Sequence, residues 1–226
     1  MHIGFKRSPP PFLSIASKIH HRIFSGIKGV NFAFGGSGIL DSTVSMADPL
    51  DFSISLLVFP IFSTASSQWL SIFDLPGRMS TTNQIENFAT IRSNMTSHLS
   101  EMQANQLLSK SIFIISTGGN DIFDYFLQHN APNVTEKEKF ITTLVSTYKY
   151  HLEVKCPFSL KLYNLGARKF GMVDVPPIGC CPFPRSLSPT GGCLDVLNEL
   201  SLRFNKATFP VTLKIFFRKA TFEKAG

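Results

Sequence analysis

The chain has 226 residues, a net charge of +7 and a mean hydropathy of +0.12, and 16% of its residues are charged. This length suits one α/β domain with a substantial core, and an apolar content of 43% excludes a disordered or fibrous chain. Residues 1–30 hold five basic residues and residues 203–226 hold six, whereas residues 31–202 are slightly acidic. Nucleic-acid binding needs a basic stripe on one folded face, so this distribution argues against it.

Two features of the sequence concern secretion, and they point in opposite directions. Residues 1–14 contain no apolar stretch of signal-peptide length, because three prolines interrupt them at positions 9–11. N-glycosylation sequons occur at Asn94-Met-Thr96 and Asn133-Val-Thr135, which is compatible with secretion. Thus no signal peptide is visible in residues 1–14 of the chain as given, while the sequons remain compatible with secretion.

The first predicted element is a short strand from Val30 to Phe34, followed by a turn at Gly35, Gly36 and Gly38. A glycine turn after a strand can cradle a phosphate group. This one lacks both Gly-Lys-Ser/Thr and G-x-G-x-x-G, so phosphate binding is disfavoured.

Residues 44–80 differ in character from their surroundings. They are rich in Ser, Phe, Leu and Ile and follow no steady period of 2 or 3.6. Only Ile54 to Phe62 is strongly apolar, which falls short of the roughly 20 residues that a membrane span needs. The composition indicates sequence that was not selected to fold.

Helices and strands alternate in the remainder of the chain. The pattern predicts an amphipathic helix from Thr82 to about Leu108, a buried strand from Lys110 to Thr117, a short helix from Asp121 to His129 and a strand from Lys169 to Val175. A capping box formed by Thr135 and Glu138 opens a further helix. The apolar faces of the last two predicted helices are Phe140, Leu144, Tyr148 and Leu152, and then Leu194, Leu197, Leu200 and Phe204. This alternation indicates an α/β fold whose parallel sheet is covered on both faces.

The four cysteines are Cys156, Cys180, Cys181 and Cys193. They have no Cys-x-x-Cys spacing and no suitably placed histidine, which disfavours structural zinc. Three disulfide pairings are open. A bridge from Cys180 or Cys181 to Cys193 would close a short loop in an oxidising compartment, while reduced and packed thiols fit the sequence equally well.

Two glycine turns at strand ends are candidate binding loops, because ligands of such sheets sit beyond the carboxyl ends of the strands. One is Gly35-Gly36 and the other is Gly118-Gly119-Asn120-Asp121. Backbone N–H groups and the Asn120 amide are donors suited to an oxyanion. Alternatively, the glycines only form turns, and Asn120 and Asp121 only cap the next helix.

Four stretches carry a resemblance to a known family: NFAFGGSGILDST, IFIISTGGNDIFDYF, LYNLGARKFGMVDVPPIGCCPFPRS and GGCLDVLNELSLRFNKA. In this order they resemble the plant-type GDSL esterase/lipases of the SGNH hydrolase superfamily, with close similarity over 26–43, 82–152 and 160–207. The resemblance implies a three-layer α/β/α, flavodoxin-like fold and hydrolysis of carboxylic esters through a serine acyl-enzyme. It also implies a small-molecule ester or lipid substrate, secretion, and neither a cofactor nor a metal.

The resemblance assigns some site residues and leaves others unidentified. It implies that Gly36 and Asn120 form the oxyanion hole, with Gly35 as the alternative to Gly36 and with Gly118 and Asp121 as loop support. The nucleophilic Ser, the Asp and the His of the family are not identifiable.

Neither of the family's remaining catalytic blocks occurs in the sequence. There is no Gly-Asp-Ser, since Asp41-Ser42 belongs to the second block (GILDST), and no histidine has an Asp three residues before it. The six histidines are His2, His20, His21, His98, His129 and His151.

These observations predict a single partial domain over 1–226, incomplete at both ends. Residues 44–80 are a non-family insertion, and residues 207–226 a divergent tail. Val44-Ser45 can be encoded GTAAGT, the opening of a spliceosomal intron, which suggests that 44–80 is a retained intron. The chain as given is expected to be an inactive ester hydrolase, or alternatively a non-catalytic lipid- or glycan-binding protein or an unstable remnant. The oligomeric state is not predicted.

Overall fold

The computed structural model describes residues 9–15, 29–33, 38–40, 55–59, 81–129, 132–152 and 158–222. The strands in these ranges are β1 (Val30–Asn31), β2 (Ser55–Phe59), β3 (Ile112–Ser116) and β4 (Lys169–Val173). The α-helices are α1 (Phe12–Ile15), α2 (Thr81–Thr96), α3 (Glu101–Lys110), α4 (Gly119–Gln128), α5 (Val134–Tyr150), α6 (Phe158–Asn164), α7 (Pro182–Leu187) and α8 (Asp195–Phe222). A 3₁₀ turn at Ile178–Cys180 precedes α7. The chain is an α/β domain, as the sequence predicts.

The four strands form one sheet in the order β1-β2-β3-β4. β3 and β4 are parallel, with Ile112 opposite Lys169 and Ser116 opposite Val173. Their connection passes through α4, α5 and α6, which provides the long crossover that a parallel pair requires. β2 is antiparallel to both β1 and β3. The expected parallel direction therefore holds for β1, β3 and β4, and β2 is the exception.

β2 lies within residues 44–80, for which the sequence analysis predicted no element. Ser55–Phe59 pairs along its whole length with β3, with Leu57 opposite Ile114. The apolar run from Ile54 to Phe62 is the local signal for this strand. The run alone does not predict a strand, because β2 forms by pairing with β1 and β3, and no periodicity within the run reveals these partners. The other residues of 44–80 lie outside the described ranges.

The helix predicted from Thr82 to Leu108 is instead two helices, α2 and α3. Ser100 is the N-cap of α3. Its hydroxyl accepts a hydrogen bond from the backbone N–H of Gln103, and the Gln103 side chain accepts one from the backbone N–H of Ser100. This Ser-x-x-Gln capping box starts a new helix, so the uninterrupted apolar spacing was misleading.

The capping box predicted at Thr135 and Glu138 is wrong by two residues. Asn133 caps α5: its Oδ1 accepts from the Glu136 backbone N–H at 3.0 Å, and Glu136 Oε2 accepts from the Asn133 N–H at 2.9 Å. Asn and Ser/Thr are comparable N-caps, and the earlier candidate is the one used here. Likewise β1 ends at Asn31 and β4 at Val173, shorter than predicted.

The core forms where the helices meet the sheet. Phe113 and Ile115 of β3 are fully buried, and Phe88 of α2 contacts Phe113 edge-on at 5.2 Å between ring centroids. Tyr148 of α5 meets Phe204 of α8 at 5.9 Å. Seven of the eight residues of the predicted apolar faces are buried: Phe140, Leu144, Tyr148, Leu152, Leu197, Leu200 and Phe204. Leu194 is only half-buried and lies just before α8. Within the described ranges, no helix is long and apolar enough to cross a membrane.

Candidate functional site: the loops after β3 and β4

The turn between β3 and α4 requires glycine at position 118. Gly118 has φ of +96°, a left-handed conformation that disfavours other residues. A Cβ at this position would also lie 2.5 Å from Cε1 of Phe204. Because glycine satisfies both constraints, the N-terminus of α4 lies close to α8. Asn120, which is half-buried, lies in the first turn of α4.

Asp121, the next residue, is a buried carboxylate that holds a distant segment of the chain. It is 1% exposed, and its two oxygens accept hydrogen bonds from the Ile39 backbone N–H at 2.6 and 2.8 Å. Oδ1 also accepts from the Leu40 N–H at 2.7 Å. We call this arrangement the Asp121 clamp. Its negative charge lies in the first turn of α4, where the helix dipole favours an anion.

The structure thus brings together Gly118, Asn120 and Asp121 with residues 38–40 of the glycine-rich block. Gly35 and Gly36, the other predicted oxyanion and support residues, lie outside the described ranges. Asp41 and Ser42 lie outside them as well.

Ser97 and His98, neighbouring residues just after α2, form a Ser–His contact. Ser97 Oγ lies 2.8 Å from His98 Nδ1, and both atoms lie within 3.1 Å of the Asn94 carbonyl oxygen. A ring nitrogen that donates to this carbonyl cannot accept the proton of Ser97. The contact is a hydrogen-bonded helix end rather than a nucleophile and its base.

His129 and His151 have local structural roles. His129 Nδ1 lies 2.9 Å from the Tyr125 carbonyl oxygen, and its ring stacks on that of Tyr125 at 4.3 Å. His151 is buried next to the ring of Tyr150. His2, His20 and His21 lie outside the described ranges.

The segment after β4 is held by two asparagines of α8 to which the sequence analysis gave no role. Asn205 Oδ1 accepts from the Val175 N–H at 3.0 Å, and its Nδ2 donates to the Val175 carbonyl at 2.8 Å. Asn198 Oδ1 accepts from the Gly179 N–H at 2.9 Å. We call this arrangement the Asn clamp. A seven-residue spacing puts both amides on one helical face beside the apolar stripe, and this signal could have revealed them.

A disulfide between Cys180 and Cys193 closes the same segment. This resolves the pairing that the sequence left open, and Cys181 is a free, half-buried thiol. Cys156 lies outside the described ranges. Gly179 is required beside the bridge because a Cβ there would overlap the Leu194 carbonyl oxygen.

A cavity of about 310 Å³ lies between β4, α5 and α8. Its lining includes Tyr148, Phe170, Met172, Phe204, Thr208 and Leu213. The Tyr148 hydroxyl lies 2.9 Å from Thr212 Oγ1. Burial raises the pKa of Tyr148, and the nearby Asp174 carboxylate adds to this shift. The walls are mostly apolar, which suits an apolar ligand.

A match to a protein-family model identifies the family of this chain. The family model GDSL-like Lipase/Acylhydrolase matches residues 13–213. The chain belongs to the GDSL lipase/acylhydrolase family. The matched range of this GDSL-family chain contains both clamps, the disulfide and every residue assigned to the oxyanion hole.

Curated relatives from Arabidopsis thaliana agree with this assignment. GDSL esterase/lipase At4g16230 is 30% identical over 212 residues, covering 90% of this chain and 46% of the relative. GDSL esterase/lipase At5g41890 is 28% identical with the same coverage, and GDSL esterase/lipase 4 is 29% identical over 60% of this chain and 35% of its own length. The GDSL-family chain therefore spans about half the length of the relatives it matches. No solved structure matches it significantly.

Proposed function

We propose that this chain carries the oxyanion-binding half of a carboxylic ester hydrolase, with Asn120 and Gly36 as the donors to a tetrahedral intermediate. The Asp121 clamp is the observation that supports this proposal most directly. It ties Ile39 and Leu40, which follow Gly36 in the glycine-rich block, to the first turn of α4, which contains Asn120. Gly36 is three positions before Ile39, which limits the distance between them to at most about 11 Å, so the clamp also limits how far Gly36 can lie from α4.

The substrate in this proposal is a small ester or a lipid. Amide and backbone N–H donors beside a helix N-terminus stabilise the negative charge that develops on the carbonyl oxygen during acyl transfer. Gly35, Gly118 and Asp121 support the loops without touching the reacting atoms. No step of the proposed chemistry requires a metal or a cofactor.

We further propose that these 226 residues do not turn over an ester by themselves. They contain neither Gly-Asp-Ser nor Asp-x-x-His, the blocks that supply the nucleophile and the base in the family. Oxyanion donors and binding alone leave a residual acceleration of about 10³–10⁴ over water. That residual is orders of magnitude below the rate of a complete serine hydrolase.

The direct test measures hydrolysis of a short-chain p-nitrophenyl ester by purified chain and labelling of serines by a fluorophosphonate. We expect a rate no more than a few-fold above that of heat-inactivated protein and no labelled serine. A rate far above this control, with one serine labelled, would contradict the inactivity that we propose.

The role of Asn120 is tested in a fusion that adds the family's Gly-Asp-Ser and Asp-x-x-His blocks. There Asn120→Ala should lower kcat by about 10²–10³-fold, the usual effect of removing one oxyanion donor. Gln128→Ala, at the exposed end of the same helix, is the matched control and should leave kcat unchanged. Equal kcat values for the two variants would show that Asn120 does not stabilise the oxyanion.

Full-length transcripts test whether 44–80 is a retained intron. Transcripts without 44–80 that carry an upstream Gly-Asp-Ser block and a downstream Asp-x-x-His would support both the intron and the esterase. Transcripts that mostly retain 44–80 would contradict the intron.

A non-catalytic role in binding a lipid is the second candidate, and the cavity between β4, α5 and α8 favours it. A fluorescent fatty acid should bind saturably, and Leu213→Trp at the cavity rim should weaken this binding at least tenfold. Leu202→Trp is the matched control, because Leu202 is an exposed leucine of the same helix that does not line the cavity. Equal binding by both variants would exclude the cavity as the lipid site.

A further inference from the structure

The two glycosylation sequons of the chain lie in very different surroundings. Asn94 lies in α2, whereas Asn133 is the residue immediately before α5. Attachment of a glycan requires an asparagine side chain that an enzyme can reach and that the fold leaves room to modify. The two sites can therefore be ranked from their contacts.

Asn94 is a poor acceptor in the folded chain. It is half-buried near the end of a helix, and its Nδ2, the atom that would carry the sugar, donates to the Thr90 carbonyl at 3.0 Å. The Thr96 hydroxyl of the same sequon is also engaged, since it donates to the Ser93 carbonyl at 2.9 Å. Modification at Asn94 would have to precede the folding of α2.

Asn133 has the opposite properties. Its backbone is extended, with φ of −73° and ψ of 174°, and both Asn133 and Thr135 are exposed. The intervening Val134 is 61% exposed, so an apolar side chain stands on the surface beside the acceptor. A glycan here would cover that side chain.

The cap made by Asn133 is compatible with the modification. In the transfer, a bond forms between Nδ2 and C1 of the first sugar, and the C1–O bond to a lipid pyrophosphate breaks. The departing lipid pyrophosphate keeps the electron pair of the broken bond, and Nδ2 releases one of its two protons to solvent. Oδ1 is unchanged and still accepts from the Glu136 N–H, so α5 keeps its N-terminal cap.

The disulfide between Cys180 and Cys193 is an independent observation about compartment. Disulfides persist in the oxidising lumen of the secretory pathway, which is also where asparagines receive N-linked glycans. We propose that Asn133 is an N-glycosylation site of this protein, with a lipid-linked oligosaccharide as donor, and that Asn94 is not used.

The test expresses the full 226-residue chain behind a cleavable secretion signal in a eukaryotic host, followed by intact mass measurement before and after peptide N-glycosidase. We expect one glycan, which Asn133→Asp and Thr135→Ala each abolish and Asn94→Gln leaves in place. Asn133→Asp keeps an oxygen that can accept from Glu136, so it separates loss of the glycan from loss of the cap.

Circular dichroism of Asn133→Asp should match that of the parent protein after glycan removal. A chain that emerges folded without a glycan, or one modified at Asn94 alone, would overturn the proposal. Peptide N-glycosidase converts each modified asparagine to aspartate, so the masses of proteolytic peptides after this treatment show which of the two positions carried the glycan.

Discussion

In both regions, after β3 and after β4, side-chain oxygens accept hydrogen bonds from backbone N–H groups. The two regions differ in the number of residues that make these attachments. The Asp121 clamp is one buried carboxylate that accepts at least three hydrogen bonds from residues more than 80 positions away. The Asn clamp uses two neutral amides of α8, and the disulfide reinforces the same segment. Among the contacts described, the first arrangement therefore rests on one side chain, whereas the second segment has several attachments that can compensate for one another.

The largest expected effect follows from removing the single carboxylate. Asp121→Ala leaves the buried N–H of Ile39 and that of Leu40 without their acceptor, and we expect the free energy of unfolding to fall by about 3–4 kcal/mol. Urea titration measures this loss. Asp124→Ala, on the same helix with only an exposed partner in Gln128, should cost about 0.5 kcal/mol or less. Equal losses for the two variants would show that the Asp121 clamp does not hold the fold.

Removing the disulfide should have a smaller effect. Replacing Cys180 and Cys193 by Ser frees a loop of 13 residues in the unfolded chain, and such bridges typically contribute about 2–4 kcal/mol. We expect about 2 kcal/mol, because the Asn clamp continues to hold the segment. Cys181→Ser is the control and should leave stability nearly unchanged. A loss larger than that of Asp121→Ala would reverse the contrast between the two loops.

Within the Asn clamp, Asn205 should matter more than Asn198. Asn205→Ala leaves both backbone groups of the buried Val175 unpaired, which we expect to cost about 2 kcal/mol. Asn198→Ala removes one acceptor beside the disulfide and should cost about 1 kcal/mol. A double-mutant cycle with the cysteine pair tests the redundancy: the Asn198 loss should grow once the bridge is absent. Strict additivity would mean that the two attachments are independent.

The sequence predicted the elements whose signal is local. The run KSIFIIST predicted β3, and the spacing of Phe140, Leu144 and Tyr148 predicted the buried face of α5. Asp121 was expected to support its loop, and its contacts with residues 38–40 are consistent with that role. β2 was missed because its place depends on two other strands rather than on its own pattern.

The helix caps, the two clamps and the disulfide pairing were harder to predict from the sequence. Several residues could cap α5, and only the path of the chain selects Asn133 over Thr135. Cys180 and Cys181 are adjacent, so their distances to Cys193 along the chain are nearly equal. Which thiol faces the partner is set by the 3₁₀ turn at Ile178–Cys180.

The smallest expected effect is a pH dependence that acts on α8, the helix that carries the Asn clamp. Burial raises the pKa of Tyr148 above its ordinary value of 10.0. Between pH 10.0 and that raised pKa, an unfolded chain loses the phenol proton and the folded chain keeps it, so stability should fall as pH rises through this window. Tyr148→Phe should cost about 1 kcal/mol at neutral pH by losing the hydrogen bond to Thr212, and the decline in stability above pH 10.0 should become shallower. Urea titrations of both proteins at a series of alkaline pH values measure the difference, in which contributions common to the two proteins cancel. If stability fell equally with pH in the two proteins, the pKa of Tyr148 would be the same in the folded and the unfolded chain, and Tyr148 would not make stability depend on alkaline pH.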